Sequence, residues 1–383
     1  MEPVLFIYTP KKLYISFKIN TMPLFLDLHE LPEGITAEHV AEMHQADLDS
    51  EHKYDCRGLT YWCDEKRKTA FCLIDAPNKQ ALIDLHVNAH GAIPTRIIEV
   101  NDTIVESFLG RIEDPEKAKN VRLNIINDPA FRTIMVVKIK QKTLIANELN
   151  ILKAAIRGYK ASIKRLTSHY NGRMVRQEAN TFLMSFDIVT DAIHCGIEIN
   201  KAYNSALTPE LKFKIGISAG IPVTDKDSIF EDTIKTSDYL SDVAKGSFSI
   251  TVAVKDLYEG ENQNKPLANK SVSVLNSKDE DFIKLLMAFT ENIWAQSAIS
   301  VSDFETDLGY SKSKLYRTMM KLVGKSPNTF LRDYRLNKAL ELLEKQSYNV
   351  SEIAYQTGFS SPAYFSKCFH NKYGILPSSF YNH

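Results

Sequence analysis

The last quarter of the chain repeats one pattern of turn and apolar residues, and this repeat constrains the fold more than any other feature. Positions of the first copy recur 50 residues later with the same character: Leu315, Met319, Gly324, Pro327 and Phe330 correspond to Phe365, Phe369, Gly374, Pro377 and Phe380. A Gly-aromatic-Ser turn precedes the second helix of each copy, at 309–311 and 358–360. Each copy therefore predicts a helix-turn-helix, and two in tandem can place two recognition helices in successive major grooves. We predict that the chain binds double-stranded DNA.

The two recognition helices supply the candidate DNA contacts. Ser302 is expected to cap the first short helix, and Ser311 the recognition helix that follows the turn. Leu315, Met319 and Leu322 recur at helical spacing and should be buried, so the opposite face is left for DNA. The candidates on the two exposed faces are Lys312, Ser313, Tyr316, Arg317 and Lys321, then Ser361, Ala363, Tyr364, Ser366 and Lys367. An ordinary helical bundle with a basic surface is the alternative, but it would not repeat caps, turn glycines and apolar anchors together.

Residues 282–381 resemble the AraC/XylS-type DNA-binding domain of transcription regulators. The residues that carry the resemblance are Ile353-Ala354, Gly358-Phe359, the segment 364–367, Gly374 and Pro377-Ser378. The resemblance implies base contacts from Ser313, Tyr316, Arg317, Ala363, Ser366 and Lys367, and RNA polymerase as a candidate partner. Among these, Arg317 is the strongest candidate because a guanidinium can bind guanine O6 and N7 together. Cys368 and His370 depart from the family pattern of bulky or basic residues, which implies fewer phosphate contacts there.

The charge differs between the two ends of the chain, and the cysteines indicate the cellular compartment. Net charge is zero overall, but residues 281–383 carry a formal charge of +3 and residues 22–112 a charge of −8. A basic C-terminal segment suits phosphate contacts, and the acidic N-terminal segment must have another role. Five cysteines at irregular spacing argue against a disulfide framework and for the cytoplasm. No apolar run approaches 18 residues, so no membrane contact is expected, and residues 1–21 are expected to be a poorly anchored extension or a mis-called start.

Residues 22–112 are predicted to form a ferredoxin-like domain with a metal site. Their pattern indicates the element order β-α-β-β-α-β. In the first strand, Leu24, Leu26 and Leu28 are expected to face the helices, and Phe25, Asp27 and His29 the other way. His86 and His90 are four residues apart on a predicted helix, a spacing at which two imidazoles can reach one divalent ion.

The same segment resembles a small bacterial family of ferredoxin-like proteins described as nickel-binding. The matching residues are Asp27-x-His29, His44-x-x-Asp47, Tyr61-Trp62, Phe71-Cys72-Leu73, Ala76-Pro77 and His86-x-x-x-His90-Gly91. The resulting candidate ligands for a divalent transition metal are His29, His44, Asp47, Cys72, His86 and His90. The resemblance implies nickel, while zinc, cobalt and copper are alternatives because imidazole and carboxylate donors suit them as well. Cys72 also fits a plain core position, and His39 and His52 fit solvated side chains.

Residues 131–258 resemble a class III nucleotide cyclase domain without its catalytic groups. The landmarks are Asn171-Gly172, Phe182-Leu183, Asp191-Ala192, Gly216-Ile217, Gly220 and Phe230. The resemblance implies that Lys138 and Asn180 replace the two metal-binding aspartates, and that Lys235 and Tyr239 replace the residues that stabilise the transition state. We therefore predict an inactive domain that pairs two copies of the chain into a homodimer or senses a ligand. A charged connector at 114–129 and a polar linker at 259–280 are expected to flank it.

Three functions remain open at this point. The first is a metal- or ligand-sensing transcription regulator that is not an enzyme, with a DNA-binding domain at 281–383. The second is an enzyme fused to a DNA-binding domain, either an active cyclase or a small oxidative enzyme in the N-terminal domain. The third is a metal-storage module whose metal never changes DNA affinity.

Overall fold

The computed structural model describes residues 22–116, 123–141, 149–204, 211–346 and 348–381. The expectation for residues 1–21 lies outside these ranges. The described chain has the multidomain α+β architecture that the sequence predicts, with an N-terminal sheet domain and a C-terminal helical domain. Within the described ranges, no helix combines the length and the apolar character needed to cross a lipid bilayer.

The N-terminal domain, called the head below, has the element order expected from its sequence pattern. Its elements are β1 (Leu24–Glu30), α1 (Ala37–Ser50), β2 (Arg57–Asp64), β3 (Thr69–Asp75), α2 (Lys79–Ala89) and β4 (Arg96–Val100). The strands form a four-stranded sheet in the order β2-β3-β1-β4, in which β1 is antiparallel to both of its neighbours. Asn78 caps α2 by accepting hydrogen bonds from two backbone N–H groups, which fixes where the helix begins.

The expected orientation of β1 is wrong. Phe25 packs with Val40, Leu82 and the other buried residues beneath the two helices, whereas Leu26 and Leu28 lie in a cluster on the opposite face. Side chains alternate along a strand, so Asp27 and His29 also face the helices. Both faces of β1 are buried, and alternation alone could not decide which face meets the helices.

The central domain is built on a six-stranded sheet. Its elements are β5 (Arg132–Gln141), α4 (Leu149–His169), β6 (Arg173–Glu178), β7 (Thr181–Phe186), α5 (Val189–Asn204), β8 (Leu211–Gly220), α6 (Glu231–Val243), β9 (Phe248–Thr251), α7 (Val252–Glu261) and β10 (Val272–Leu275). The strand order is β10-β9-β8-β5-β7-β6. Val137 and Met184 lie in a core with residues of α4, α5 and α7, and α6 packs on the other side of β5 and β8.

The head and the central domain share an apolar interface. Leu26 and Trp62 of the head pack in one cluster with Val136 and Leu183 of the central sheet. Between the domains, α3 (Asp102–Leu109) is held by Arg132, whose side chain donates hydrogen bonds to the carbonyls of Phe108 and Leu109 at the end of the helix. The two sheets therefore face each other across a continuous core.

Residues 259–280, predicted to form a polar linker, contain helix and strand at both ends in the structure. The end of α7 occupies the first of these residues, and β10 pairs in parallel with β9. The C-terminal helical domain begins with α8 at Ser277. The short strand escaped the sequence pattern because only Leu275 of its four residues is buried.

The C-terminal domain consists of two helical modules joined by one long helix. Its helices are α8 (Ser277–Ile293), α9 (Val301–Leu308), α10 (Lys312–Leu322), α11 (Pro327–Lys345), α12 (Val350–Gln356) and α13 (Pro362–Tyr373). Gly309 and Gly358 adopt positive φ of 68° and 77° in the two turns, a conformation that favours glycine. Ser300 rather than Ser302 caps α9, because Asp303 at the third helical position completes a capping box with it.

Candidate metal centre and nucleic-acid interface

A buried cluster of imidazole, carboxylate and thiol groups lies between the head sheet and its helices. β1 contributes Asp27 and His29, β3 contributes Cys72, α1 contributes Asp47, and α2 with the residue after it contributes His86 and His90. Two sets of donor atoms each lie within 4.8 Å of one another: Asp27, His29, Cys72 and His86 form one set, and Asp47, His86 and His90 form the other. The fold therefore gathers these donors from four elements.

His86 is the centre of the cluster, since it belongs to both sets of donors. Its Nε2 lies 2.9 Å from Asp27 Oδ2, and its Nδ1 lies 3.1 Å from the Asp47 carboxylate. His90 Nε2 lies 3.1 Å from His86 Nδ1, because residues four apart on a helix meet on one face. The main-chain N–H of Cys72 donates to Asp27 Oδ1 at 3.0 Å, which fixes the orientation of that carboxylate.

Burial and the neighbouring charges set the protonation states of the cluster without a metal ion. Burial acts to raise the Asp27 pKa, but the imidazoles of His29 and His86 outweigh it and hold the pKa well below its usual range. Burial acts to lower the His86 pKa, yet Asp27 and Asp47 raise it to about 10. Burial, with Asp27 nearby, raises the pKa of the Cys72 thiol well above its ordinary value. Two carboxylates therefore hold a proton on His86, and the thiol stays neutral.

One donor atom of the cluster has no hydrogen bond. His29 Nε2 is buried and lies 3.4 Å from Asp27 Oδ1, close enough for an ion pair when the imidazole is protonated, but it makes no hydrogen bond among the described residues. A buried nitrogen without a hydrogen bond is costly unless something binds it. The residues present therefore fit a divalent transition metal ion, which would take this nitrogen, other imidazoles and a carboxylate as ligands.

The structure brings together five of the six ligands that the sequence predicts, namely His29, Asp47, Cys72, His86 and His90. It also adds Asp27, which was part of the family pattern but was not among the predicted ligands. The sixth predicted ligand, His44, lies elsewhere: its Nε2 is 3.2 Å from Asp114 Oδ2, and its ring packs on Tyr61.

The two histidines set aside in the sequence also lie outside the cluster. His39 Nδ1 accepts a hydrogen bond from the Thr36 backbone at the start of α1, and His52 is exposed.

The candidate DNA-binding residues of the first module lie on the solvent face of α10. Leu315 and Met319 are fully buried, whereas Lys312, Ser313, Tyr316, Arg317 and Lys321 are exposed, as the helical spacing predicts. Arg317 Nε donates to the Ser313 carbonyl at 3.3 Å. Lys321 Nζ lies 2.8 Å from Asp279 Oδ2 on α8, a pairing that the sequence did not indicate.

The second module presents α13 in the same manner. Phe365 and Phe369 are fully buried, and Ala363, Tyr364 and Lys367 are exposed. The other two candidates are less free: Ser361 caps α13 by accepting from the Tyr364 N–H, and Ser366 is half-buried. Cys368 is buried in the module core, so its departure from the family pattern concerns packing, whereas His370 is exposed.

The positions at which the resemblance implies cyclase catalytic groups make structural contacts in this protein. Lys138 Nζ lies 2.7 Å from both Asp238 Oδ1 and Asp242 Oδ2 on α6. At the other three positions, the Asn180 carbonyl accepts from the Ile139 N–H, Lys235 pairs with Glu231 on the same helix, and Tyr239 donates to Glu291 on α8 of the C-terminal domain. A cation paired with two carboxylates thus lies where the resemblance implies a metal ligand.

Both ends of the chain match known families. Residues 305–383 match a family described as helix-turn-helix domain, and residues 25–100 match a family described as nickel responsive protein SCO4226-like. These matches confirm the resemblances predicted for the two ends of the chain.

Among curated proteins, histidine kinase P4 of Formosa agariphila is 26% identical over 272 residues, which cover 68% of this chain and 19% of that protein. The uncharacterized HTH-type transcriptional regulator YidL of Escherichia coli is 34% identical over 100 residues, which cover 26% of this chain and 32% of that protein. The chain thus spans about a fifth to a third of the length of these relatives.

Two solved structures are also similar to parts of the chain. SCO4226 from Streptomyces coelicolor has 32% identity and a TM-score of 0.19, covering 20% of this chain and 94% of that one. A bacterial light-regulated adenylyl cyclase has 14% identity and a TM-score of 0.27, covering 62% of this chain and 87% of that one.

Proposed function

We propose that this chain is a transcription regulator whose head, a ferredoxin-like domain, senses a divalent transition metal ion. The observation that supports DNA binding most directly is the pair of recognition helices, α10 and α13. Each presents exposed polar, aromatic and basic side chains over a fully buried apolar face. Phosphate contacts from lysines would position the domain, and contacts to base edges would select the sequence. Double-stranded DNA is thus the proposed partner, and RNA polymerase is a candidate second partner.

Selection from a random pool tests DNA binding and gives the operator. The full chain should enrich one double-stranded sequence and protect two adjacent major-groove segments about one helical turn apart. A variant with Arg317 and Lys367 both changed to Ala should lose enrichment. A variant with Lys338→Ala, a half-buried residue of α11 paired with Glu341, should retain it and serves as the matched control. If the wild-type chain binds random DNA as tightly as the selected sequence, sequence-specific binding is refuted.

The metal proposal rests on the donor set of the head. The buried cluster offers imidazole, carboxylate and thiol ligands from His29, whose Nε2 makes no hydrogen bond, and from Asp27, Asp47, Cys72, His86 and His90. Nickel is proposed first because the head matches a nickel-responsive family, and zinc, cobalt and copper suit the same donors. A bound ion would supply a positive charge that neutralises the two buried carboxylates.

Calorimetric titration of the full chain with Ni²⁺, Zn²⁺, Co²⁺ and Cu²⁺ tests this proposal. His29→Ala and His90→Ala should each weaken binding at least tenfold, whereas the matched controls His39→Ala and His44→Gln should change it less than twofold. His44 is included because the sequence placed it in the site and the structure pairs it with Asp114. A melting temperature that stays constant in all four metals would refute metal binding, because a ligand of the folded state must raise it.

The central domain is proposed to be a cyclase-like domain without catalytic activity. A Lys138 ammonium held by two aspartates would repel the metal ions that cyclase chemistry requires. The enzyme alternative predicts cyclic nucleotide formation from ATP or GTP, which assays with Mg²⁺ and Mn²⁺ would detect.

The homodimer is also a proposal, and the structure limits the surfaces it could use. The head and α6 cover one face of the central sheet, and α4, α5 and α7 pack on the other. Two chains would therefore have to meet through helices or strand edges, and analytical ultracentrifugation of the full chain tests this. The five free, buried thiols support the proposed cytoplasmic location.

A further inference from the structure

We infer that α6 couples the metal cluster of the head to the first helix-turn-helix module, so that metal binding changes how α10 is held and therefore how tightly the chain binds DNA. The inference rests on the proposed metal and DNA functions. It also distinguishes a sensor from a storage module, in which metal would leave DNA affinity unchanged.

The path begins in β1, which carries metal ligands and interface residues in alternation. Asp27 and His29 belong to the donor cluster beneath the helices. Leu26 and Leu28, their immediate neighbours, lie in the apolar cluster on the opposite face. A shift of β1 that accommodates a metal ion must therefore move residues in the core shared with the central domain.

Phe230, the residue immediately before α6, lies in that same core. It is fully buried, and its ring centroid lies 5.0 Å from that of Phe108 on α3. Its backbone has φ of 55° and ψ of 22°, a left-handed conformation that is sterically costly for an aromatic residue. Such a residue can relax when its surroundings change, so the start of α6 is the place where the proposed shift would be taken up.

The body of α6 is fixed tightly to the central sheet and should move as a unit. Ser237 Oγ donates to the Ile134 carbonyl on β5 at 2.9 Å, and Lys138 joins β5 to Asp238 and Asp242 on α6. The helix lies so close to β8 that a Cβ atom at Gly216 would fall 2.0 Å from the Ser237 carbonyl oxygen. Lys138 therefore helps to secure this helix to the sheet.

The second half of α6 is part of the core of the first DNA-binding module. Leu240 and Val243 lie in one cluster with Leu315 and Met319, the buried anchors of α10. Tyr239 donates to Glu291 on α8 at 3.0 Å. Just past the helix, the Lys245 N–H donates to the Leu322 carbonyl at the last residue of α10, at 2.7 Å.

The second module has a separate core. Leu336, Ile353, Phe365 and Phe369 cluster there without any residue of α6. A change that passes through α6 should therefore act on the first recognition helix and leave α13 within its own module unchanged.

The test measures DNA affinity of the full chain with and without saturating Ni²⁺ by fluorescence anisotropy. We expect metal to change the affinity about fivefold or more, the usual size of coupling between two sites. The double variant Tyr239→Phe with Val243→Ala, which loosens the contact of α6 with α8, should reduce the change to less than twofold. Lys235→Gln is the matched control, because Lys235 pairs with Glu231 on the surface of α6, and it should behave as wild type.

Hydrogen exchange of the wild-type chain gives a second readout that does not depend on any variant folding. Metal should change exchange in residues 230–245 and 312–324 and leave residues 350–373 unchanged. Metal binding without a change in DNA affinity, or an equal change in both modules, would overturn the coupling. Failure of the metal to bind in the calorimetric titration would instead overturn the proposed function of the head, and the coupling with it.

Discussion

His86 Nε2 and Asp27 Oδ2 lie 2.9 Å apart with both side chains fully buried, so that a proton on the imidazole is held by a carboxylate inside the head. A metal ion that binds His86 must displace that proton. Because the carboxylates raise the His86 pKa from 6.5 to about 10, apparent metal affinity should keep rising with pH up to about 10 instead of levelling off near neutral pH. Titrations at pH 7.5 in buffers of different ionisation enthalpy should show at least one proton released per metal ion. Release of no proton would contradict a His86 that is protonated at this pH and gives up its proton to the metal.

The same pair sets a pH dependence for the metal-free protein. The folded-state pKa of His86 lies above its unfolded value of 6.5, so its contribution to stability is fully present below about pH 6.5. That contribution should be lost as pH rises through about 10. Urea denaturation of the metal-free protein at several pH values measures this loss of stability. With metal bound, the stability should no longer fall between about pH 6.5 and 10.

Lys214 should have the opposite effect on stability. Burial, with Lys212 and Lys140 nearby, lowers the Lys214 pKa to about 7, while its ammonium donates to the carbonyls of Ala244 and Gly246. The unfolded chain therefore binds more protons than the folded chain between about pH 7 and 10.5, and this group adds stability as pH rises through that window. The difference in unfolding free energy between wild type and Lys214→Met should change by about 1.4 kcal/mol per pH unit at its steepest. A difference independent of pH would contradict the burial of this charge.

Arg317 and Lys321 should differ as DNA contacts. Arg317→Ala should cost roughly 1–3 kcal/mol on the selected operator and relax one base position, with little loss on random DNA. Lys321 is partly neutralised by Asp279, so Asp279→Asn should free its charge and strengthen binding to every sequence. The slope of log affinity against log salt should then steepen by about 0.9, as expected for one added phosphate contact. Equal loss on specific and random DNA for Arg317→Ala would refute its assignment as a base reader.

Gly216→Ala tests the close packing of α6 on β8. The added Cβ would fall 2.0 Å from the Ser237 carbonyl oxygen, so the helix must move, at a cost of roughly 1–3 kcal/mol or more. Gly158→Ala is the matched control because it lies in α4 with nothing near its Cβ, and it should stabilise the chain by about 0.5–1 kcal/mol. Urea midpoints of the two variants should therefore move in opposite directions.

The sequence predicted best where local chemistry decides the structure. The tandem modules follow from caps, turn glycines and apolar spacing within each copy, and Leu315, Met319, Phe365 and Phe369 are buried as expected. Helical spacing also brought His86 and His90 together correctly.

Where contacts between distant parts of the chain decide the position of a side chain, the sequence pattern did not predict it. The face of β1 depends on which domain covers the sheet, and the direction of His44 depends on Asp114, which is 70 residues away in the chain. Asp27 was passed over as a ligand because an acidic residue in a strand carries no spacing signal. The pairing of Lys321 with Asp279 likewise joins residues 42 positions apart.

The shared helix α11 has a consequence for the operator. Phe330 and Leu331 near its start pack in the first module, and Leu336, Ala339 and Leu343 pack in the second. The 19 residues of α11 span about 28 Å, at about 1.5 Å per residue, and this length fixes the separation of the two modules. Deleting one residue within it would also turn the second module by about 100° about the helix axis, at about 3.6 residues per turn. Spacing and rotational phase are thus linked, and the distance between the two halves of the operator can vary little.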